Sequence, residues 1–224
     1  MIQIPYIGYE LSFPPVDTAT PEGLLAYGGD LSPNRLLLAY RSGIFPWYNS
    51  NDPILWWSPD PRLVLFLDEF ILRKSLKKRM KHFEIRYDTA FAKVMQECGS
   101  IVREGQKGSW IIPEIIEAYS VLNDMGYAHS IEAWQEGELV GGLYGIAIGK
   151  MFFGESMFAK VSDASKVAFA HLVQRLKEEG FDMIDCQISS EHLKSLGARE
   201  ISREEFLKRL QSKIYEDPAP GPWK

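Results

Sequence analysis

Asp185-Cys186-Gln187 is the first place in this 224-residue sequence where residue types and spacing could do chemistry. The surrounding "FDMIDCQI" reads as a short, mostly apolar strand. On a strand, positions i and i+2 project from one face. Asp185 and Gln187 are therefore expected side by side, with Cys186 on the opposite face. A carboxylate beside a carboxamide can accept hydrogen bonds, orient an amine and take up a proton. The competing reading is a satisfied polar pair at a strand end. Glu155, in "GESMF", is the second candidate. Its neighbours Met151 to Phe153 and Met157-Phe158 are apolar. The acid is either partly buried and in need of a partner, or a surface acid at a strand turn.

A third candidate is a block of charge. Between Glu69 and Glu84 there is no acid, but there are Arg73, Lys74, Lys77, Lys78, Arg79 and Lys81. That +6 island sits in a chain of net charge −5, so the remainder carries −11. Helices normally gain from opposite charges spaced i,i+4. A helix of unrelieved cations makes sense if phosphates relieve it, and an ordinary solvated face is the alternative.

The elements that must position these residues follow from periodicity. Ser32-Pro33 followed by "NRLLLAYRSG" reads as a helix with Ser32 as N-cap, Pro33 at its first position and Gly43 as its stop. The stretch from Gly43 to Leu65 carries three tryptophans (Trp47, Trp56, Trp57) and four prolines. Prolines at that density argue against a long helix or a central strand. They fix a loop that can present aromatic faces at a domain junction. From Arg62 onward the texture is regular. "RLVLFL" reads as a strand, "ILRKSLKKRMK" as a helix with Leu72, Leu76 and Met80 in one stripe, "FEIRY" as a strand and "TAFAKVMQEC" as a helix. A helix from Pro113 to Met125 precedes three antiparallel strands, "HSIEAWQ", "ELVGGLYGIAIG" and "KMFFGESMF". Asp163 or Ser162 is expected to cap the long helix "ASKVAFAHLVQRLKEE". Ser202 with Glu205 forms a capping box for the last one. This order implies a mixed α/β (α+β) protein with a mostly antiparallel sheet. The boundary is placed near residue 60, giving a small N-terminal domain over 1–60 and a larger domain over 61–224.

Composition bounds the rest. Hydrophobic residues make up 46% of the chain and charged residues 25%, ordinary for a globular protein. Cys98 and Cys186 fit neither a metal spacing nor a disulfide framework. The start has no basic n-region or apolar h-region, and no stretch approaches the ~20 apolar residues of a membrane span. A cytoplasmic protein without membrane partners is expected. There is no Gly-x-Ser-x-Gly, P-loop or zinc spacing, and "GGLYG" lies within a strand rather than opening a helix. Trp110, Tyr119, Leu143, Phe152 and Leu172 could pack a core or line a pocket. Sequence favours core, and Tyr119 falls in line with Ile112, Ile115 and Ile116.

Taken together, "GGDLSPNRLLLAYRSGIFPWYNSNDPILWWSPDPR", "HSIEAWQEGELVGGLYG", "FFGESMF", "DASK" and "IDCQ…SLGA" resemble the bacterial leucyl/phenylalanyl-tRNA–protein transferases. The likeness runs from about Phe13 to Phe206. It implies an enzyme that moves leucine or phenylalanine, less often methionine, from Leu-tRNA or Phe-tRNA to the N-terminal Arg or Lys of a protein, marking it for degradation. It also implies an acetyltransferase-like (GNAT-like) larger domain and no cofactor, since the aminoacyl ester is already activated.

The resemblance assigns Asp185 and Gln187 as a catalytic pair and Glu155 as an acid important for activity. Trp47 and Trp110 would flank the 3′ adenosine and aminoacyl group, with Tyr119 at the same site. Leu143, Phe152, Met157 and Leu172 would form the aminoacyl pocket. Some members carry methionine at the position of Leu143, phenylalanine at that of Leu172 and asparagine at that of Ser190. The basic block matches the region that contacts the tRNA acceptor stem. Trp47 is expected to stack on the terminal adenine, while Trp56 and Trp57 pack the two domains together. Glu155 and Asp185 would offer negative charge to a cationic acceptor. Two rivals are an acetyl-CoA-dependent N-acetyltransferase and a non-catalytic tRNA-binding module. The first lacks a Gly-rich loop before "ASKVAF", and the second leaves Asp185, Gln187 and Glu155 without a role. Nothing in the sequence demands more than a monomer.

Overall fold

Two sheets organise the chain, in a computed structural model that describes residues 3–101, 109–216 and 221–223. The first has four strands in the order β1-β2-β4-β3: β1 (Tyr6–Ile7), β2 (Leu24–Gly28), β3 (Phe45–Pro46) and β4 (Leu55–Trp57). Helix α1 (Pro33–Arg41) lies between β2 and β3 in sequence, and Gly43 follows it at φ +74°. Ser32 occupies the N-cap position without a side-chain cap bond.

The proline-rich stretch is not irregular throughout. Residues Leu55–Trp57 pair on one side with β2 and on the other with β3, so β4 is an internal strand. It is only three residues long, which fits between Pro53 and Pro59, and Pro46 lies on the edge strand β3. Trp56 is fully buried, with its indole N–H on the Gly28 carbonyl at 2.9 Å.

The second sheet has seven strands in the order β11-β5-β10-β9-β8-β7-β6. They are β5 (Arg62–Phe66), β6 (Glu84–Tyr87), β7 (Ala128–Gln135), β8 (Glu138–Ile148), β9 (Met151–Ala159), β10 (Met183–Gln187) and β11 (Arg199–Ile201). Every pairing is antiparallel except β10 with β9. Strands β7 to β9 form the meander expected from the alternating segments, β6 pairs antiparallel at its edge, and the lone parallel pair arises because α5 (Ala164–Glu178) crosses over between β9 and β10.

The two faces of this sheet bury different sets of residues. One face carries Leu143, Phe152 and Ile184 and packs on α5, which contributes Leu172. The other carries Tyr144, Phe153 and Met183 and packs on α3 (Phe91–Ser100), α4 (Pro113–Asp124), which contributes Tyr119, α7 (Arg203–Lys213) and the four-stranded sheet. Alternation along β8 and β9 sends neighbouring side chains to opposite faces. The glycines of "GGLYG" serve this packing. A Cβ on Gly141 would lie 2.4 Å from that of Ala164 at the start of α5, and one on Gly145 would lie 2.5 Å from the Phe152 ring.

Two local expectations are corrected and a third holds. The basic helix α2 is short (Lys74–Met80), and Leu72 lies outside it and is exposed, so Leu76 is its single buried anchor. Asp163 sits at the N-cap of α5 at φ +67° but makes no side-chain cap bond; its carboxylate instead meets Arg79 and Lys166, each at 3.2 Å. Ser202 does cap α7, accepting from the Glu205 N–H at 3.1 Å. No helix among the described residues is long and apolar enough to cross a membrane.

Candidate active site

The pairing of β9 with β10 stops at Phe153 and Asp185. Beyond that point both strands carry a bulge. On β9 the register against β8 skips from Gly154 to Ser156, leaving Glu155 as the extra residue. On β10 the register against β5 skips from Asp185 to Gln187, leaving Cys186 extra. A bulge unpairs one residue and re-aims the side chains that follow. Two of them on adjacent strands open the sheet into a cleft of about 550 Å³.

One wall of the cleft is apolar. Leu143, Phe152, Met157 and Leu172 line it, with Phe169 and Ile184 between them. Trp47 and Trp110 line the cleft as well. Trp57 steadies Trp47: its indole N–H donates to the Trp47 carbonyl at 2.7 Å, and the two ring centroids are 5.6 Å apart.

The other wall is polar. Glu155 Oε1 accepts from the Gln187 carboxamide nitrogen at 2.8 Å and from the Tyr40 hydroxyl at 2.8 Å. The Tyr40 and Tyr119 hydroxyls are 2.5 Å apart. Since Tyr40 gives its proton to the carboxylate, Tyr119 donates to Tyr40. Burial raises Glu155 from 4.5 to about 7; the bonds from Tyr40 and Gln187 pull the other way, and the nearby Asp185 adds to the rise. Burial next to this acid raises both tyrosines well above their usual 10. Cys186 faces the cleft, but burial and Asp185 push its thiol far up, so it stays protonated and unreactive.

Asp185 lies elsewhere. It is fully buried and faces away from the cleft, on the side of Met183. Its carboxylate accepts from Arg62 Nε at 2.9 Å and Nη2 at 2.7 Å, and from the backbone N–H of Gln187 at 2.9 Å. Arg62 also donates to the Gly43 carbonyl at 3.2 Å and lies over the rings of Phe45 (4.9 Å) and Phe206 (4.5 Å). Two expectations are corrected here. Asp185 and Gln187 do not stand side by side, because the bulge breaks the two-residue alternation and puts Gln187 at φ +64°. Asp185 also presents no free charge to the cleft, because Arg62 matches it. What Asp185 does hold is the main chain of Gln187.

The other sequence candidates separate in the same way. Ser190 lines the cleft and caps the short helix α6 (Glu191–Lys194), accepting from the Leu193 N–H at 3.5 Å. Tyr119 is fully buried behind Tyr40 and does not line the cleft. Of the basic block, Arg79 is engaged by Asp163 and by the Ser162 carbonyl at 3.0 Å. Arg73, Lys74, Lys77, Lys78 and Lys81 form no ion pair among the described residues. Sequence reasoning missed Tyr40 and Arg62. Tyr40 resembles one more apolar residue of α1. Arg62 had a usable signal: a lone cation opening the apolar run "RLVLFL" needs a buried acid somewhere in the fold.

Comparison with known proteins bears on the same residues. Residues 64–211 match the family described as leucyl/phenylalanyl-tRNA protein transferase, and residues 29–60 match its N-terminal domain. A leucyl/phenylalanyl-tRNA–protein transferase of Sulfurimonas denitrificans is 59% identical over 202 residues, covering 90% of this chain and 89% of that one. A protein of the same name from Nitrosospira multiformis is 56% identical over 215 residues, covering 94% and 92%. Among solved structures, L-PGS from Bacillus licheniformis aligns with a TM-score of 0.38 at 14% identity, over 76% of this chain and 57% of that one. An aminoglycoside acetyltransferase from a soil metagenome aligns with a TM-score of 0.40 at 14% identity, over 65% and 97%.

Proposed function

The chain belongs to the leucyl/phenylalanyl-tRNA–protein transferase family, enzymes that carry an amino acid from tRNA to the N-terminus of a protein, and on that premise we propose that the cleft between β9 and β10 is where the transfer occurs. The observation that carries this reading is the meeting of an apolar wall with the Glu155–Gln187 hydrogen bond inside one cleft. Family membership also favours this activity over acetyl transfer from acetyl-CoA.

The donor's side chain, leucine or phenylalanine, enters against Leu143, Phe152, Met157 and Leu172. Burial there contributes about 1.5–3 kcal/mol. Isoleucine and valine are similarly hydrophobic, so shape must exclude them. Trp47 and Trp110 stack on the terminal adenosine, each such contact being worth about 1–3 kcal/mol. Ser190 lies at the rim of the same cleft. The exposed cations of the basic block, Arg73, Lys74, Lys77, Lys78 and Lys81, approach the acceptor stem, with Arg79 held back by Asp163.

The acceptor is a protein N-terminus beginning with Arg or Lys, and Glu155 is the acid that faces it. Gln187 gives its N–H to Glu155, which leaves its carbonyl oxygen to accept from the incoming amine. An α-ammonium has a pKa near 8, about one unit above Glu155, so the carboxylate can take its proton at neutral pH. The freed nitrogen attacks the ester carbonyl carbon, the C–N bond forms and the ester C–O bond breaks. Of the two protons lost as the ammonium becomes an amide, one goes to the departing ribose oxygen. The other leaves to water through Glu155. Asp185 and Arg62 act behind this step by fixing the backbone that aims Gln187. Removing Gln187 loses orientation of the amine, a positioning effect on rate.

We assign residues 1–60 as the small domain that presents Trp47 and residues 61–224 as the catalytic domain. In support, β4 ends at Trp57 and β5 opens the larger sheet at Arg62. A monomer acting in the cytoplasm on proteins destined for degradation is the setting this chemistry fits. The test is transfer of labelled phenylalanine from Phe-tRNA to a peptide beginning with Arg. Parent protein should transfer with a rate that rises through pH 7. Glu155→Gln and Gln187→Ala should bind the charged tRNA normally and transfer slowly. Undiminished transfer by both variants would remove the cleft chemistry proposed here.

A further inference from the structure

The far end of the chain returns to the sheet directly behind the apolar wall. Trp223 is 8% exposed and belongs to the same core cluster as Phe152 and Leu172. Its indole stacks on His129, centroids 4.1 Å apart and planes 6° from parallel, and lies 5.8 Å from the Phe152 ring at 27°. The Arg175 guanidinium, from α5, covers it at 4.6 Å. Its backbone N–H donates to Asp88 Oδ2 at 2.9 Å, the oxygen that also meets His129 Nδ1 at 2.8 Å. Two residues earlier the Gly221 N–H donates to the Gly126 carbonyl at 3.2 Å, and a Cβ on Gly126 would strike Gly221 at 2.4 Å. The seat is shaped for this segment.

Phe152 is confined on two sides by this arrangement. Gly145 offers no Cβ on one, and Trp223 closes another. Neither Gly145 nor Trp223 lines the cleft, but Phe152 does. Resting on the reading of that cleft as the acyl pocket, we infer that Trp223 is a positioning residue for donor selectivity: through Phe152 it sets the depth of the pocket. A smaller residue at 223 leaves a void into which the Phe152 ring can retreat, and the deeper pocket discriminates less against bulky or β-branched donors. Close-packed interiors transmit such one-ring displacements because they hold few voids to absorb them.

The test uses the full-length chain with Leu-, Phe- and Ile-charged tRNA as donors and one Arg-initiated peptide as acceptor. Trp223→Ala should raise the Phe-to-Leu ratio of kcat/KM by about threefold or more, carried mainly by KM for Leu-tRNA, since single-methylene discrimination in apolar pockets is itself about 10–200-fold. Transfer of isoleucine should become measurable. Trp223→Phe, which keeps a flat ring on His129, should retain the parental ratio. Ile214→Ala removes a buried side chain from the opposite face of the sheet; it should lower Tm and leave the ratio unmoved, separating selectivity from stability. If Trp223→Ala does not fold, Trp223→Leu takes its place with the same expectation. A parental ratio in the Trp223 variant beside a shifted ratio in Phe152→Ala overturns the inference and spares the pocket. A parental ratio in both overturns the pocket reading and the inference together.

Discussion

The apolar and polar walls of the cleft share strands β9 and β10, with β8 and α5 adding Leu143 and Leu172 to the apolar one, but they are built by different rules. Leu143, Phe152 and Ile184 follow strict two-residue alternation, and their neighbours support them by volume alone. Glu155 and Gln187 lie where that alternation fails, and a chain of directional bonds holds them: Tyr119 to Tyr40 to Glu155 to Gln187, and Arg62 to Asp185 to the Gln187 backbone. On the function proposed above, the regular half of the ladder makes a container and the interrupted half the reactive edge. Losing a methyl from the container should degrade the fit. Losing one bond from the chain should misdirect the chemistry.

The largest effect that would separate the walls is expected from Arg62→Ala. It leaves the fully buried Asp185 without its cation and should cost about 3–5 kcal/mol as well as most of the activity, read from urea unfolding and the transfer assay. A cost below about 1 kcal/mol would mean the pair does not hold the polar wall. Leu172→Ala acts on the container. It should cost about 2–5 kcal/mol of stability and blunt donor selectivity, with the pH dependence of transfer unchanged; an altered pH profile would show that the walls are not separable.

Glu155→Gln tests the polar wall alone. Glu155 is raised from 4.5 to about 7 in the folded protein. Between those values the folded chain keeps a proton that the unfolded chain has released, so this group's contribution favours folding below about pH 4.5 and is lost as pH rises through 7. The parent should therefore lose more stability than the variant between pH 5.5 and 8, and parallel pH–stability curves would contradict the assignment. The smallest effect is expected from Tyr119→Phe. It removes one buried hydroxyl bond, about 0.5–1.5 kcal/mol, and should lower turnover less than Tyr40→Phe, which touches Glu155 directly. Equal losses in the two variants would mean that the chain does not run in the order the bonds suggest.

The two walls also differ in how far the sequence revealed them. Every strand of the β7–β8–β9 meander is legible in its alternation, and α5 in its spacing, so the elements that carry the container could be anticipated, whereas apolar residues alone pointed Leu143, Phe152 and Leu172 to a core and only the motif resemblance pointed them to a pocket. The motif resemblance then marked Glu155, Asp185 and Gln187 as functional. Their geometry was not legible, because a bulge is one extra residue and leaves no periodic trace. The pleat rule placed Asp185 beside Gln187, whereas the bulge sent one behind the sheet and the other into the cleft. Tyr40 was hidden for a different reason: its spacing on α1 is that of a core residue, and only the hydroxyl tip, meeting a carboxylate 115 positions later, makes it more than that. The short β4 escaped because propensity arguments weigh prolines heavily and tertiary pairing can fit three residues between them.

The paired bulges at Glu155 and Cys186 make the opening a matter of residue count as much as of residue type. A chain shortened by one residue at either place could zip the neighbouring strands into an unbroken ladder. Loss of Cys186 in particular would keep the carboxylate and carboxamide in the sequence yet leave no gap in the sheet between them. Single-residue deletions there should therefore give a well-folded but sealed protein.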